Sequence, residues 1–266
     1  MDIQKILFLF LCFLITILVG NLRKEEFNEE IIDIDKFPRL VHLIYFPWDS
    51  KTMKLKDNPY DFDDTFYQQF KRDHPDFEVK LWTLPEAERF VRSNYPDVWS
   101  IITSVDRPIM MVDIFRWLVV YHYGGIYWQY GSKPLVPLDN FMPSPGKRVK
   151  LHTESILTPE FSQEMAREPI RNGEPEEPVR VYSCFFSAFP RDPYIENTLD
   201  VIVRNIRLYT VKKDYDILYI TGNAVVSTVY DIYGKNNPSV ELVPVEESKK
   251  SFEVHSKKSW RLEPLQ

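Results

Sequence analysis

The sequence predicts an α/β domain with a sheet that is at least partly parallel. Short apolar runs rich in β-branched and aromatic residues are typical of buried strands and occur at 40–46 and 126–130, and an alternating run typical of a strand occurs at 77–82. Apolar residues recur at helical spacing over 60–73 and 106–123. Because these strands and helices alternate along the chain, they favour parallel strand pairs joined by helices.

The first predicted strand, at 40–46, ends at Pro47, which has no backbone N–H to donate to a neighbouring strand. The helix predicted over 60–73 comes next. The strand at 77–82 alternates between apolar and charged residues, as expected for a strand with two different faces. A short helix is predicted at 85–93, since proline is tolerated in a first helical turn.

The following segment has the clearest local signals. Asp106 is predicted to cap a helix that has Pro108 in its first turn. The pair Gly124-Gly125 supplies a left-handed end to that helix, and the strand at 126–130 follows directly. Two prolines within 133–138 predict an extended stretch after the strand.

The second half of the chain is less regular. Residues 141–180 are rich in proline and glutamate and predict a long surface excursion, which in a compact domain is usually functional or disordered. A strand is predicted at 181–189 and a helix at 193–209. The last predicted element is a helix or turn at 222–233.

Composition excludes several functional classes. A chain of 266 residues suffices for one large domain or two small ones. Its formal net charge of −6 argues against broad affinity for nucleic-acid backbones, so we expect no nucleic-acid partner. The two cysteines, Cys12 and Cys184, exclude a disulfide scaffold and a zinc site built from cysteines.

An uncharged apolar run occupies residues 6–20. It is shorter than the about 20 residues of a standard membrane span, but it fits a signal anchor in a thin early-secretory membrane. A cleaved signal peptide and a buried helix are the alternatives. We predict a signal anchor or signal peptide at 1–24, a stalk at 25–37 and the globular domain at 38–266. The predicted localisation is a single-pass membrane protein of the ER or Golgi, or a secreted or lumenal protein after cleavage.

Two charged residues stand out on the apolar helix predicted over 106–123. Asp113 and Arg116 are three residues apart, which places them on one helix face. Burying them is unfavourable unless they are paired or used, so they form either a structural ion pair or part of a ligand pocket at the end of the sheet. By default, His42 is a core histidine and His255 is an exposed one.

The segment 112–127 contains Asp113-x-x-Arg116 followed by Gly-Gly-x-Tyr, and it resembles the central signature of glycosyltransferase family 32. That family includes fungal α-mannosyltransferases and capsule-synthesis enzymes. Five further segments resemble the family's other motifs in the same order: Val41–Tyr45, Pro75–Trp82, Ser183–Ala188, Thr221–Asn223 and His255–Trp260. The resemblance covers about residues 40 to 262.

The resemblance implies a GT-A-type nucleotide-sugar-binding domain with a mixed, mostly parallel sheet. It also implies a retaining glycosyltransferase that moves a hexose from a nucleotide-sugar donor to a glycan or glycolipid acceptor. Asp113 and Arg116 would then bind the donor sugar, and His42 and Tyr45 would lie near the base and ribose. A divalent metal, Mn²⁺, is the expected cofactor.

The chain departs from the family at the acidic D-x-D motif, whose two aspartates correspond to Gln129 and Gly131. Three hypotheses follow. An active transferase neutralises the donor diphosphate with cations; an inactive relative binds a nucleotide sugar or glycan or scaffolds a partner; or the pocket is vestigial within an interaction module. Cations near the motif positions in sequence are Lys133, Lys257 and Lys258; Lys133, Ser259 and Trp260 are candidate diphosphate contacts, and His255 is a candidate metal ligand.

Overall fold

A six-stranded sheet forms the centre of the computed structural model, which describes residues 32–61, 63–157 and 179–254. The strands are Leu40–Ile44 (β1), Trp48–Asp49 (β2), Lys54–Leu55 (β3), Glu78–Trp82 (β4), Gly125–Trp128 (β5), Lys133–Pro134 (β6), Val149–Ile156 (β7), Val179–Ala188 (β8), Val240–Val243 (β9) and Phe252–Glu253 (β10). The α-helices are Thr65–Asp73 (α1), Leu84–Asn94 (α2), Pro96–Thr103 (α3), Pro108–Tyr123 (α4), Pro193–Leu208 (α5), Asp216–Ile220 (α6), Asn223–Val229 (α7) and Val245–Ser251 (α8).

The strand order in this sheet is β4-β1-β5-β8-β7-β9. β1 pairs in parallel with β4 and β5, and β7 pairs in parallel with β9. β8 runs antiparallel to both of its neighbours. The predicted mixed, mostly parallel α/β architecture is therefore confirmed. β1, β4, β5, β7 and β9 all end at the same border of the sheet, which we call the carboxyl edge.

Helix α4 is the main packing element behind the sheet. It begins with Pro108 in its first turn and ends at Gly124, whose φ of 70° ends the helix while its N–H donates to the Val120 carbonyl at 2.8 Å. The ring of Trp117 stacks on Phe186 of β8 with 3.8 Å between ring centroids. The predicted helix and its glycine ending are confirmed.

Several local predictions differ from the structure. The residue before α4 is Arg107, in extended backbone and without a side-chain cap; Asp106 does not cap the helix and instead accepts the Val211 N–H at 3.4 Å. α1 begins at Thr65 rather than near residue 60. Part of the predicted surface excursion at 141–180 is strand β7. Residues 158–178 lie outside the described residues.

The lengths and composition of the helices contradict the predicted membrane localisation. None of those in the described part of the chain is long and apolar enough to cross a membrane. α4 and α5 have 16 residues each, and a rise of about 1.5 Å per residue gives about 24 Å, short of the about 30 Å of a bilayer core. The prediction of a single-pass membrane protein is therefore wrong for this part of the chain. The apolar run at 6–20 lies outside the described residues.

Candidate functional site

The predicted Asp113–Arg116 pair lies in helix α4, and the structure brings the two side chains into direct contact. Asp113 Oδ1 and Arg116 Nη2 are 2.7 Å apart, and each side chain is 5% exposed. Thr221 donates its hydroxyl to Asp113 Oδ2 at 2.8 Å. Burial raises the pKa of the Asp113 carboxyl, and Arg116 and Thr221 oppose that rise. The Asp113 carboxylate is thus bound on both oxygens.

Arg116 reaches across to strand β8. Its Nη1 donates to the Ser183 carbonyl at 2.8 Å and to the Ser183 hydroxyl at 3.1 Å. Ser183 can accept these bonds because the ladder is irregular here: Leu151 pairs with Phe186, whereas Thr153 pairs with Val181. The charged pair is therefore satisfied by protein groups, as in the ion-pair alternative. Its predicted contact with a donor sugar stays a prediction.

His42, on β1, is a fully buried histidine with both ring nitrogens bound. Trp82 donates its indole N–H to Nδ1 at 3.1 Å, and Nε2 lies 2.9 Å from the Gly124 carbonyl, to which it donates. Burial lowers the pKa of His42 to about 4, so the ring is neutral near pH 7. These contacts match the default of a core histidine. The nucleotide contact of His42 stays a prediction.

Tyr45 directly follows β1 and belongs to an aromatic group at the carboxyl edge. Its ring centroid is 5.0 Å from that of Tyr130, which in turn is 4.8 Å from that of Phe66. The Tyr130 hydroxyl donates to the Asp63 carbonyl at 2.9 Å. Because Tyr130 stands between Gln129 and the glycine that follows it, aromatic surface adjoins the position of the acidic motif.

Gln129 and Gly131 lie just after β5, where the family motif has two carboxylates. Gln129 donates its backbone N–H to the Cys184 carbonyl at 3.0 Å, and Gly131 has a φ of 86°. Manganese favours carboxylate oxygens, whereas Gln129 offers one neutral amide oxygen and Gly131 has no side chain. Within the described ranges, no group of three or more His, Cys, Asp or Glu residues could hold a metal ion. The residues present at this position do not fit the expected Mn²⁺.

The remaining predicted site residues are Lys133 and the C-terminal residues His255, Ser259 and Trp260. Lys133 is exposed in β6, opposite Glu253 of β10. The predicted contacts His255, Ser259 and Trp260 lie outside the described residues. The two candidate cations Lys257 and Lys258 also lie outside the described residues.

The structure adds a polar contact that the sequence motifs did not single out. Glu154 of β7 accepts a hydrogen bond from the Asn223 side-chain amide at the start of α7. Burial raises the pKa of Glu154, while the Asn223 bond and the charge of Arg180 oppose the rise. No clear signal for it is present in the sequence, because Glu154 is one of several polar residues in Val149–Ile156, within a segment whose composition favoured a loop.

Residues 61–145 match the family described as the glycosyltransferase sugar-binding region containing a DXD motif. The matched range contains α4 with Asp113 and Arg116, strand β5, and the two positions Gln129 and Gly131. It ends before β7, so Glu154 and Asn223 lie outside it.

Curated fungal proteins are similar to parts of this chain. Inositol phosphoceramide mannosyltransferase 2 of Schizosaccharomyces pombe is 26% identical over 166 residues, which are 62% of this chain and 41% of that protein. Mannosyl phosphorylinositol ceramide synthase SUR1 of Saccharomyces cerevisiae is 27% identical over 120 residues, 43% of this chain and 29% of that protein. The chain thus spans less than half the length of these relatives.

Among solved structures, the PaToxG glycosyltransferase aligns with a TM-score of 0.40 and 14% identity, over 74% of this chain and 70% of that chain. A likeness of this size carries no argument about the site. The assignment rests instead on the matched segment 61–145 and on the fungal relatives. Together they confirm the resemblance to glycosyltransferase family 32 drawn from the sequence motifs: residues 61–145 of this chain are similar to the sugar-binding region of that group.

Proposed function

We propose that this protein is a retaining glycosyltransferase with a GT-A-type domain, which transfers a hexose from a nucleotide-sugar donor to a glycolipid. The observation that carries the proposal is the match of 61–145 to a sugar-binding region that includes the buried Asp113–Arg116 pair. This pair lies behind the carboxyl edge, where open α/β sheets bind their ligands. The names of the fungal relatives favour mannose as the sugar and an inositol phosphoceramide as the acceptor.

Asp113 and Arg116 suit the recognition of sugar hydroxyls. A carboxylate accepts and a guanidinium donates, so the pair can bind two adjacent hydroxyls with charge-assisted hydrogen bonds. Thr221 and Ser183 hold the two charged groups in place before any ligand arrives. Such preorganisation lowers the entropy lost on binding.

The aromatic group formed by Tyr45, Tyr130 and Phe66 suits the nucleotide base. Tyr45 follows β1 and Tyr130 follows β5 at the carboxyl edge, and Phe66 of α1 packs against Tyr130. An aromatic ring can stack on a base without requiring a charged partner. We therefore assign the base to this group and keep Tyr45 as its predicted contact.

The donor diphosphate has to be stabilised without carboxylate-bound Mn²⁺, because Gln129 and Gly131 do not fit that ion. We assign this role to the side-chain cations Lys133, Lys257 and Lys258. Of these three, only Lys133 lies within the described residues. One opposite charge at 4 Å contributes about 4 kcal/mol at an effective dielectric constant near 20. The leaving diphosphate requires this stabilisation most when the bond to the sugar breaks.

A second function is favoured by the same two positions. If Gln129 and Gly131 leave too little charge stabilisation, the chain binds a nucleotide sugar or glycan, or scaffolds a partner, without turnover. The buried Asp113–Arg116 pair is compatible with binding alone. This alternative differs from the first in one measurable property, which is turnover.

The experiment uses the purified full chain with GDP-mannose, UDP-glucose and UDP-galactose, each with Mn²⁺ or with a chelator. Donor hydrolysis, or transfer to an inositol phosphoceramide, is measured beside calorimetric binding. Turnover that survives the chelator supports the transferase without bound metal. Binding without turnover supports the inactive relative. If the chain binds none of the three donors, both functions are rejected and a vestigial pocket remains.

A further inference from the structure

The short segment Thr221-Gly222-Asn223 connects two carboxylates that are far apart in sequence. Thr221 donates its hydroxyl to Asp113 of α4, and Asn223 donates its side-chain amide to Glu154 of β7. Gly222 lies between them, and a Cβ built on it would be 2.9 Å from the Leu218 Cα. The close approach at Gly222 leaves no room for a side chain between the two hydrogen-bonding residues.

One atom of this arrangement has no partner among the described residues. Asn223 Oδ1 is buried and accepts no hydrogen bond, while Nδ2 of the same amide is bound to Glu154. An ionised carboxylate only accepts, so the bond to Glu154 directs Nδ2 toward it and leaves Oδ1 as the open acceptor. Buried acceptors without a donor are rare in folded proteins, and each one calls for an explanation.

Glu154 lies near the carboxyl end of β7, which is separated by β8 from β5, the strand that precedes the position of the acidic motif. Its charge and the charges of Asp113 and Arg116 all act on the pKa of Cys184, which burial raises to about 12. The Cys184 carbonyl accepts the backbone N–H of Gln129 at 3.0 Å. Glu154 is therefore a carboxylate at the carboxyl edge, near the place where the family motif would supply two.

Helix geometry does not require asparagine at position 223. It is the first residue of α7, where proline is well tolerated, and the family turn that 221–223 resembles has proline at this place. Gly222, before it, has a φ of −88° and a ψ of −158°, an extended conformation that is compatible with a following proline. The amide of Asn223 thus has a use other than starting the helix.

We propose that Asn223 and Glu154 form a hydroxyl-binding subsite for the hexose of the nucleotide-sugar donor. The proposal rests on the proposed function, because it needs a sugar donor as its ligand. One sugar hydroxyl donates to Asn223 Oδ1, and an adjacent hydroxyl donates to the Glu154 carboxylate. Thr221 and Gly222 place this subsite next to the Asp113–Arg116 pair. The carboxylates of Asp113 and Glu154 therefore bind hydroxyls of the same sugar ring.

The test compares binding of a nucleotide sugar with binding of its nucleoside diphosphate, which lacks the hexose. Calorimetry on the full chain uses the tightest-binding donor among GDP-mannose, UDP-glucose and UDP-galactose. Asn223→Pro removes the amide and keeps a residue that fits the start of α7; Asn223→Ala is the second variant if proline lowers the melting temperature. Glu154→Gln tests the carboxylate. Asn140→Ala and Glu246→Gln, both at exposed positions, are the matched controls.

We expect Asn223→Pro and Glu154→Gln each to weaken binding of the nucleotide sugar by about tenfold, which corresponds to about 1.4 kcal/mol. Binding of the nucleoside diphosphate and of both ligands to the controls should change by less than about twofold. Equal losses for both ligands, or no loss in either variant, would overturn the subsite while leaving the proposed function intact. If the unmodified chain binds no nucleotide sugar, the proposed function fails first and the subsite fails with it.

Discussion

Trp82 donates its indole N–H to Nδ1 of His42 across 3.1 Å, from one strand of the sheet to the neighbouring one. The opposite ring nitrogen of His42 bonds to the Gly124 carbonyl at the end of α4. One neutral imidazole thus ties together β1, β4 and the turn into β5. Protonating it would destroy the bond from Trp82, because an imidazolium only donates.

His42 should make stability depend on pH. Its pKa is about 4 in the folded chain against 6.5 ordinarily, so the unfolded chain binds a proton that the folded chain does not. The contribution of His42 to the free energy of unfolding is therefore complete above pH 6.5. It falls as the pH drops toward 4, by up to about 1.4 kcal/mol per pH unit. Urea unfolding at pH 7, 6 and 5 measures this slope. We expect His42→Asn to have a shallower slope, and parallel profiles for the two proteins would contradict the prediction.

Removing one partner of the Asp113–Arg116 pair should be strongly destabilising. Arg116→Met leaves the Asp113 carboxylate buried without its cation, which typically costs about 3–5 kcal/mol. Replacing both partners, by Asp113→Asn with Arg116→Met, should recover part of that loss. The exposed pair Arg92–Glu88 has the same 2.7 Å separation and is the control, since Arg92→Met should change the free energy of unfolding by less than about 1 kcal/mol. Equal effects in both pairs would refute the assignment.

Restoring the acidic motif should create metal dependence. The double variant Gln129→Asp with Gly131→Asp places two carboxylates after β5, as hard cations prefer. Gly131 has a φ of 86°, so aspartate there is strained, although Asp tolerates left-handed backbone better than most residues. Calorimetry should show Mn²⁺-dependent donor binding only in the variant. If the variant binds Mn²⁺ no better than the parent, the alignment at Gln129 is incorrect.

Gly125 should be far less replaceable than Gly146, although both have positive φ. A Cβ on Gly125 would lie 2.4 Å from the Leu40 carbonyl oxygen, in the backbone of β1, whereas a Cβ on Gly146 meets nothing within 4 Å. Gly146→Ala therefore isolates the backbone strain, roughly 1 kcal/mol. Thermal unfolding should show that Gly125→Ala loses at least about 2 kcal/mol more than Gly146→Ala. Equal losses would mean that β1 yields easily at this point.

Elements that are bounded by proline or glycine were predictable from the sequence. Helix α4 and strand β5 are delimited by Pro108 and by Gly124-Gly125, whose backbone preferences act locally. β7 was not predicted, because the proline- and glutamate-rich residues around it resemble a loop. The strands of two residues, such as β2, are too short to show a repeating hydrophobic pattern in the sequence.

In the candidate site, likewise, contacts between residues close in sequence were predictable and contacts between distant residues were not. The closeness of Asp113 and Arg116 follows from three-residue spacing on a helix. Their partners Ser183 and Thr221 are 67 and 108 residues away in sequence, and only the fold brings them together. The contact between Glu154 and Asn223 likewise joins two elements, β7 and α7, that no spacing rule relates.

The strand order also bears on how copies of this chain behave at high concentration. β4 and β9 are the two border strands of the six-stranded sheet, and an unpaired strand border is a template for self-association. Both borders are short, five and four residues, and they carry charges: Glu78 and Lys80 on β4, and Glu241 on β9. Short, charged border strands hinder the addition of a further strand. The two lateral borders of the sheet are thus protected against aggregation by their own length and charge.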